Sequence, residues 1–243
     1  MCPANRGRES LNEPKHILVV SPHPDDESIG CGGTLRAHVV AGDVVHAVFL
    51  TSGEQGGHGR TPDQTAALRE QEARDAAAIL GLAQIEFWRE PDGMLNASSS
   101  LVRKLRATLR KFRPALILVP HDREMHPDHK AAARLVRRAV RRIVPVPEVW
   151  MFEVWTPVQR IDQIIDISEH MTVKLQAIRA HRSQCEAMSF DDAAAGLARY
   201  RGEMHLWPGG DYAEAFTEWR PEAAAAAPAA QAGAAASAKG ACS

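Results

Sequence analysis

The chain has 243 residues, and 45 % of them are hydrophobic, which excludes collagen-like, disulfide-rich and fully disordered classes. Its 29 Lys and Arg residues nearly balance 30 Asp and Glu residues, so the net charge of -1 argues against nucleic acid or an anionic membrane as a partner. The longest aliphatic runs, at 17–20 and 115–119, are far shorter than the roughly 20 residues that span a bilayer, so no transmembrane helix is expected.

The two ends of the sequence differ in composition from its middle. Residues 1–14 are polar and lack periodicity, and residues 221–243 are rich in alanine, so we expect a flexible N-terminal segment and a disordered tail around a domain at 15–220. The four cysteines follow no CxxC spacing, and the N-terminus lacks an apolar signal region. These features favour a reducing, cytoplasmic location.

Short apolar runs alternate with longer runs of helical periodicity. The predicted strands are 16–21, 44–51, 84–88, 116–120, 148–153 and 164–167. The predicted helices are 29–41, 62–80, 98–112, 129–142 and 168–181. Strands separated by helices of this length favour right-handed βαβ units, and hence an α/β fold: a three-layer α/β/α sandwich with a mostly parallel, Rossmann-like sheet.

Two polar segments follow predicted strands, at the sheet edge where such folds bind ligands. They are His23-Pro24-Asp25-Asp26 and His126-Pro127-Asp128-His129. In each segment a second potential ligand follows the first His by three positions, and residues at this spacing lie on one side of a turn. His23 can therefore act with Asp26, and His126 can lie near His129.

Two imidazoles and one carboxylate are typical of a catalytic zinc site that keeps a fourth position open. We expect His23, Asp26 and His129 to bind one Zn²⁺ ion. The same ligands also accept iron, cobalt or manganese, so the sequence does not decide the metal.

The remaining polar residues of the two segments are candidates for proton transfer and charge stabilisation. Asp25 adjoins Asp26, and successive side chains diverge, so Asp25 is free to act as the general base. His126 is the candidate donor to a carbonyl oxyanion, and Asp128 is expected to orient or charge that imidazole. The alternative is that these acids only cap helices and turns.

Together these residues resemble the PIG-L/LmbE-like zinc-dependent N-deacetylases, over about residues 15–219. The matching motifs are PHPDDE at 22–27, Gly30, GGTL at 32–35, TSGE at 51–54 and HPDH at 126–129. Later segments, including IDIS at 165–168 and HRSQ at 181–184, are similar to bacterial members that act on N-acetylglucosamine conjugates.

The resemblance implies a hydrolase that removes acetyl from a small N-acetylglucosaminyl conjugate, and the late motifs favour N-acetylglucosaminyl malate. It also implies that Arg69 and Asp92 hydrogen-bond sugar hydroxyls. Taken alone, Arg69 is more typical of a solvated helix face and Asp92 of a turn before Gly93; only the resemblance makes the sugar-binding role equally plausible. Relatives often assemble, so a homo-oligomer is compatible with the sequence.

Several alternatives remain open. The same machinery could act on a chitooligosaccharide, an antibiotic sugar, an inositol conjugate or a thiol S-conjugate, or the chain could bind metal and sugar without catalysis. A dinucleotide site is dismissed, because the third glycine of a G-x-G-x-x-G motif starting at Gly30 would fall on Leu35. The glycine-rich loop at 53–59 is either a lid or a solvent loop.

Overall fold

A computed structural model of the chain describes residues 13–206 and 209–220. Apart from residues 13 and 14, the predicted flexible segment lies outside these ranges, as does the predicted tail at 221–243. Both therefore stay predictions.

The described residues form seven strands, seven α-helices and one short 3-10 helix (Ser168–His170). The strands are β1 (His16–Ser21), β2 (Val44–Phe49), β3 (Gln84–Phe87), β4 (Leu116–Pro120), β5 (Glu148–Phe152), β6 (Gln163–Asp166) and β7 (Ala213–Glu218). The helices are α1 (Asp26–Val40), α2 (Pro62–Leu80), α3 (Ser99–Phe112), α4 (Pro127–Val140), α5 (Met171–Ala180), α6 (Arg182–Cys185) and α7 (Phe190–His205).

One sheet holds all seven strands, in the order β3-β2-β1-β4-β5-β7-β6. The pairs from β3 to β5 are parallel, whereas β7 runs antiparallel to both β5 and β6. The predicted three-layer fold with a mostly parallel sheet is confirmed. The strand order reverses between β1 and β4, and such a switch point leaves a crevice beyond the carboxyl ends of the two strands.

Strand β1 is buried on both faces. Ile17 and Val19 pack in the layer that contains α1, α2 and α5, while Leu18 and Val20 pack against α3 and α4. Side chains alternate along a strand, so a continuous apolar run of this kind suits a central strand covered on both sides. The loop that follows β1 is therefore anchored in the core.

The glycines of α1 allow the helix to approach its neighbours closely. A Cβ atom on Gly30 would lie 2.2 Å from the Phe152 ring, and one on Gly33 would lie 2.7 Å from Ile167. The helix is kinked at Cys31, whose φ is -146°. Gly30 and Gly33 therefore allow close packing of α1. The helix begins at Asp26, three residues earlier than the sequence predicts.

Helix α7 and strand β7 were not predicted. The buried side of α7 is made mainly of small or charged residues, such as Ala194 and Arg201, which give a weak apolar pattern. In β7 the buried Glu214 pairs with Lys174 and interrupts the apolar run. Among the described helices, none combines the length and hydropathy that crossing a bilayer requires.

Candidate active site

The two His-Pro segments meet at the carboxyl edge of the sheet. Helix α1 begins at Asp26, directly after Asp25, and α4 begins at Pro127, directly after His126. Pro127 suits the first helical position, where a backbone N–H has no partner within the helix. Because β1 and β4 are parallel neighbours, the first turns of the two helices lie at the same edge.

The carboxylate of Asp26 lies between two imidazoles. Its Oδ2 atom is 3.1 Å from Nδ1 of His23, and its Oδ1 atom is 3.2 Å from Nε2 of His129. Each imidazole thus lies against a different oxygen of the same carboxylate. All three side chains are buried. The structure therefore brings the predicted ligand set together.

His129 is fully buried, yet neither of its ring nitrogens makes a hydrogen bond with any residue of the described ranges. Its contact with Asp26 has the distance of a hydrogen bond but not the geometry. Burial opposes ionisation of Asp26, but His129 and His23 outweigh it and hold the pKa of this carboxyl well below its ordinary value. An ionised carboxylate beside a buried imidazole with a free nitrogen fits a divalent cation.

Two other sets of donor atoms also lie close together. Atoms of His23, His126 and His129 lie within 4.8 Å of one another, and so do atoms of His23, Asp92 and Asp128. The geometry thus admits a three-imidazole set. The place of Asp26 between two of these rings favours the predicted set, because it adds a negative charge to the ligand sphere.

The outer nitrogen of His23 faces two carboxylates. Its Nε2 atom is 3.0 Å from Oδ1 of Asp92 and 3.3 Å from Oδ2 of Asp128. Asp128 also accepts hydrogen bonds from the backbone N–H groups of Gly93 and Leu95, at 2.8 and 3.1 Å. A carboxylate in this position orients a ligating imidazole. Asp128 therefore links His23 to the loop that carries Asp92.

The contact between Asp128 and His126 differs from the expected one. The backbone N–H of Asp128 donates to Nδ1 of His126 at 3.2 Å, while the Asp128 carboxylate lies against His23. A neutral ring whose Nδ1 accepts a hydrogen bond carries its proton on Nε2. Burial lowers the pKa of His126, which favours this neutral form. His126 also lines the cavity.

Asp25 has an unusual backbone conformation. It precedes α1 with a φ of 125°, which is strained for a residue other than glycine. Such strain persists only where the surrounding structure enforces it, commonly at functional sites. Burial raises the pKa of Asp25 to about 6, although the Arg69 charge opposes the shift. Asp25 is thus a buried carboxyl beside the predicted metal ligands.

Arg69 is nearly fully buried in α2 and holds the Asp25 segment. Its guanidinium donates to Oδ2 of Asp25 at 3.0 Å, and to the carbonyl oxygens of Pro24 and Gly53 at 2.7 and 2.9 Å. Its Nε atom has no partner within the described ranges. Arg69 lines the cavity, but its terminal nitrogens are engaged inside the protein. Its part in sugar binding stays a prediction.

A cavity of about 340 Å³ lies above these residues. Its lining includes polar residues, among them His23, Asp25, Arg69 and Asp92, as well as apolar ones. The apolar lining residues are Ile29, Val154, Trp155, Ala187, Met188 and Phe190. Two residues that the sequence identified only by resemblance, Arg69 and Asp92, thus lie at the same cavity as the two motifs.

The glycine-rich loop at 53–59 forms part of the cavity wall. Gln55, Gly56 and His58 line the cavity. The side-chain amide of Gln184 donates to the Gly56 carbonyl, and the Gln55 N–H donates to Asp92. Hydrogen bonds therefore connect the loop to two other lining residues of the cavity, Gln184 and Asp92.

Glu124 is a buried residue of this region that the sequence reasoning missed. Its Oε1 atom accepts the backbone N–H groups of Val154, Trp155 and Thr156, and its Oε2 atom is 3.8 Å from Nδ1 of His129. Its position two residues before the His126 segment is the sequence feature that could have indicated a place near the site.

A model of the PIG-L family, described as GlcNAc-PI de-N-acetylase, matches residues 18–140. Diacetylchitobiose deacetylase from Thermococcus kodakarensis is 32 % identical over 197 residues, which cover 72 % of each chain. Probable N-acetyl-alpha-D-glucosaminyl L-malate deacetylase 2 from Bacillus cereus is 31 % identical over 194 residues, which cover 74 % of this chain and 88 % of that protein.

A solved structure adds a different activity to the comparison. GalB, the 4-carboxy-2-hydroxymuconate hydratase from Pseudomonas putida KT2440, has a TM-score of 0.77 and 26 % identity, covering 86 % of this chain and 98 % of its own. The same fold thus carries deacetylases and a hydratase. Since the family match takes in half of the chain and both His-Pro segments, the chain belongs to the PIG-L family.

Proposed function

We propose that the protein is a metal-dependent N-deacetylase that hydrolyses the acetamide of an N-acetylglucosaminyl conjugate to a free amine and acetate. The observation that carries the proposal is the placement of the Asp26 carboxylate between His23 and His129, with Asp25 and His126 at the same cavity. The names of the relatives support this activity, since both curated deacetylases act on N-acetylated sugars.

The proposed metal ligands are His23, Asp26 and His129, with Zn²⁺ as the proposed ion. When bound, a divalent cation supplies a Lewis acid that polarises the acetamide carbonyl and lowers the pKa of water from about 16 toward about 7. Asp92 and Asp128 hold the outer nitrogen of His23, so its inner Nδ1 atom stays directed at Asp26.

Asp25 is the proposed general base. It is next to a ligand in sequence, and Arg69 pairs with its Oδ2 atom, so the Oδ1 atom is the one proposed to accept a proton from the attacking water. Once protonated, the same carboxyl can deliver that proton to the departing nitrogen. Its buried position excludes bulk water, which would otherwise compete for the proton.

His126 is the proposed donor to the oxyanion. Its Nδ1 atom is engaged by the backbone of Asp128, so Nε2–H is the donor group that remains on a ring that lines the cavity. A preorganised donor of this kind stabilises the negative charge that develops on the carbonyl oxygen. Arg69 and Asp92, which both line the cavity, remain proposed sugar contacts.

The hydratase neighbour raises a second candidate, hydration of a tricarboxylate. A tricarboxylate needs cationic partners, but Arg69 is the single Lys or Arg among the described lining residues, and it is paired with Asp25. Apart from the proposed metal ion, the described lining therefore offers no free cation, which favours a neutral acetamido sugar.

Metal analysis and product identification test the proposal together. Purified protein is assayed for bound metal and then given N-acetylglucosaminyl malate, diacetylchitobiose, an inositol conjugate and N-acetylglucosamine. We expect about one metal ion per chain, because the site has one set of three ligands, and release of acetate and amine in equal amounts. Stoichiometric metal without acetate from any compound would instead favour a non-catalytic metal- or sugar-binding protein.

A further inference from the structure

A second cavity, of about 300 Å³, adjoins the active-site cavity. The two share five lining residues, all of them apolar: Ile29, Val154, Trp155, Met188 and Phe190. Ile29 follows the proposed ligand Asp26 by one turn of α1. The second cavity therefore begins one helical turn away from the proposed metal ligands.

The shared wall presents exposed apolar surface. Trp155 and Phe190 pack edge to face, with ring centroids 5.6 Å apart. Trp155 is nevertheless 39 % exposed, and Met188 is 49 % exposed. Large apolar side chains left uncovered at the mouth of a cavity are typical of a binding surface for an apolar group.

The charged groups of the second cavity are already neutralised by the protein. Lys174 is buried and lies 2.5 Å from Glu214, whose carboxylate also accepts the backbone N–H groups of Gly33 and Thr34. Glu153 is buried and pairs with Arg201 at 2.8 Å. Because these pairs are satisfied internally, the cavity has no unpaired cation, among its described lining residues, for an anionic ligand.

We propose that the second cavity binds an uncharged, apolar substituent of the amino-sugar substrate. This inference rests on the proposed deacetylase function and narrows its substrate class. The substituent is either the group attached to the sugar or an N-acyl chain longer than acetyl, and both have the chemistry that the cavity accepts. An anionic group such as malate would meet no unpaired Lys or Arg among the described lining residues of either cavity, since Arg69 pairs with Asp25 and Lys174 with Glu214.

The rate of amine release from four compounds tests the proposal. They are N-acetylglucosamine, its phenyl glycoside, N-butyrylglucosamine and N-acetylglucosaminyl malate. We expect kcat/KM for the phenyl glycoside or the N-butyryl compound to exceed that for N-acetylglucosamine by about tenfold, the gain from burying two methylene equivalents. The compound with the higher kcat/KM shows whether the group attached to the sugar or the N-acyl chain occupies the second cavity. A gain for the malate conjugate alone, or for no compound, overturns the proposal.

Filling the cavity supplies a matched pair of variants. Ala193 is exposed and lines the second cavity but not the first, so Ala193→Phe is expected to reduce the preference for the apolar compound by about tenfold. Gly196→Phe adds the same ring to the same helix in open space, and is expected to leave the preference unchanged. Equal preference in both variants and the unmodified protein would contradict the proposal.

Calorimetric binding of the same compounds to the Asp25→Asn protein separates this inference from the proposed function. The apolar compound is expected to bind about tenfold more tightly than N-acetylglucosamine, for the same reason of apolar burial. Tighter binding without amine release from any compound would contradict the deacetylase function but support the apolar site. If the unmodified protein released amine but showed no preference for the apolar compound in rate, and Asp25→Asn showed none in binding, the deacetylase function would be supported and the apolar site contradicted.

Discussion

The guanidinium of Arg69 donates a 3.0 Å hydrogen bond to the carboxylate of Asp25 and also donates to the carbonyl oxygen of Pro24, the residue before it. One side chain of α2 thus holds both the backbone and the carboxyl group of the proposed base. The positive φ of Asp25 shows that this segment is not in a relaxed conformation. The position of the base therefore depends on a residue 44 positions away in sequence.

Replacing Asp25 by Asn removes the proposed base while keeping the size of the side chain. We expect kcat to fall by about 100-fold or more, the usual contribution of a general base. Bound metal should be unchanged, because His23, Asp26 and His129 remain. Steady-state kinetics and metal analysis of the purified variant check both results.

The matched control is Asp75→Asn, an exposed Asp on α2 that accepts a hydrogen bond from Gln71. It should keep full activity and metal content. If Asp25→Asn were as active as this control, Asp25 could not be the base.

Replacing Arg69 tests whether it positions Asp25 or binds sugar. Arg69→Met removes the three donated hydrogen bonds, and we expect kcat to fall by about 100-fold, the scale of a misplaced catalytic group. Arg69→Lys keeps the charge but not the planar fork, so its kcat should be intermediate. Kinetics that resolve kcat and KM measure the difference.

The two roles predict different kinetic effects. Loss of a sugar contact that is equally strong in the ground state and the transition state would raise KM and leave kcat unchanged. Loss of the Asp25 position lowers kcat in both variants. An effect confined to KM would therefore support the sugar-binding prediction and argue against the positioning role.

Gly53 is required both for its backbone conformation and for space. Its φ is 63°, and a Cβ atom there would lie 2.2 Å from Nη1 of Arg69. We expect Gly53→Ala to displace the guanidinium and to lower kcat by about tenfold or more, because Asp25 loses its partner. Kinetics and thermal unfolding are the measurements.

Gly59→Ala is the matched control in the same loop. Gly59 has a φ of 96°, but nothing lies within 4 Å of an added Cβ atom. This variant should lose about 1–2 kcal/mol of stability from backbone strain and keep its kcat. Equal loss of activity in both variants would show that strain in the loop, rather than the contact with Arg69, matters.

Local signals explain why much of the fold was predictable. Helix α2 has the predicted bounds, because Thr61 caps its start, Pro62 occupies its first turn and Gly81 ends it with a φ of 85°. The proximity of His23 and Asp26 follows from their spacing within one turn. The approach of His129 follows from topology, since strands next to a switch point bring their loops together.

Contacts that depend on distant loops were not predictable in the same way. The Asp128 carboxylate faces His23 rather than the His126 ring because the backbone N–H groups of Gly93 and Leu95 hold it there. Nothing near Asp128 in sequence indicates that partner. For Arg69 the sequence showed only a charged residue on a helix, since its burial depends on the loop that Gly53 allows to approach.

His46 on β2 gives the fold a pH dependence separate from the active site. Its ring is partly buried, its Nδ1 atom has no partner within the described ranges, and burial lowers its pKa from 6.5 to about 4, with the nearby charges of His16 and Lys111 acting in the same direction. The folded state therefore favours the neutral ring. Between pH 6.5 and 4 the unfolded chain binds more protons, so the free energy of unfolding falls as the pH is lowered.

Urea unfolding of the protein and of His46→Gln over this pH range measures the effect. The slope of the unfolding free energy against pH should be smaller in the variant, by at most about 1.4 kcal/mol per pH unit, the value for one proton. His205→Gln, at an exposed position of α7, is the control and should keep the original slope. Above pH 6.5 the His46 contribution is fully present, so the slopes of all three proteins should converge there. Identical slopes for His46→Gln and the unmodified protein between pH 4 and 6.5 would mean that this ring ionises equally in the folded and unfolded states.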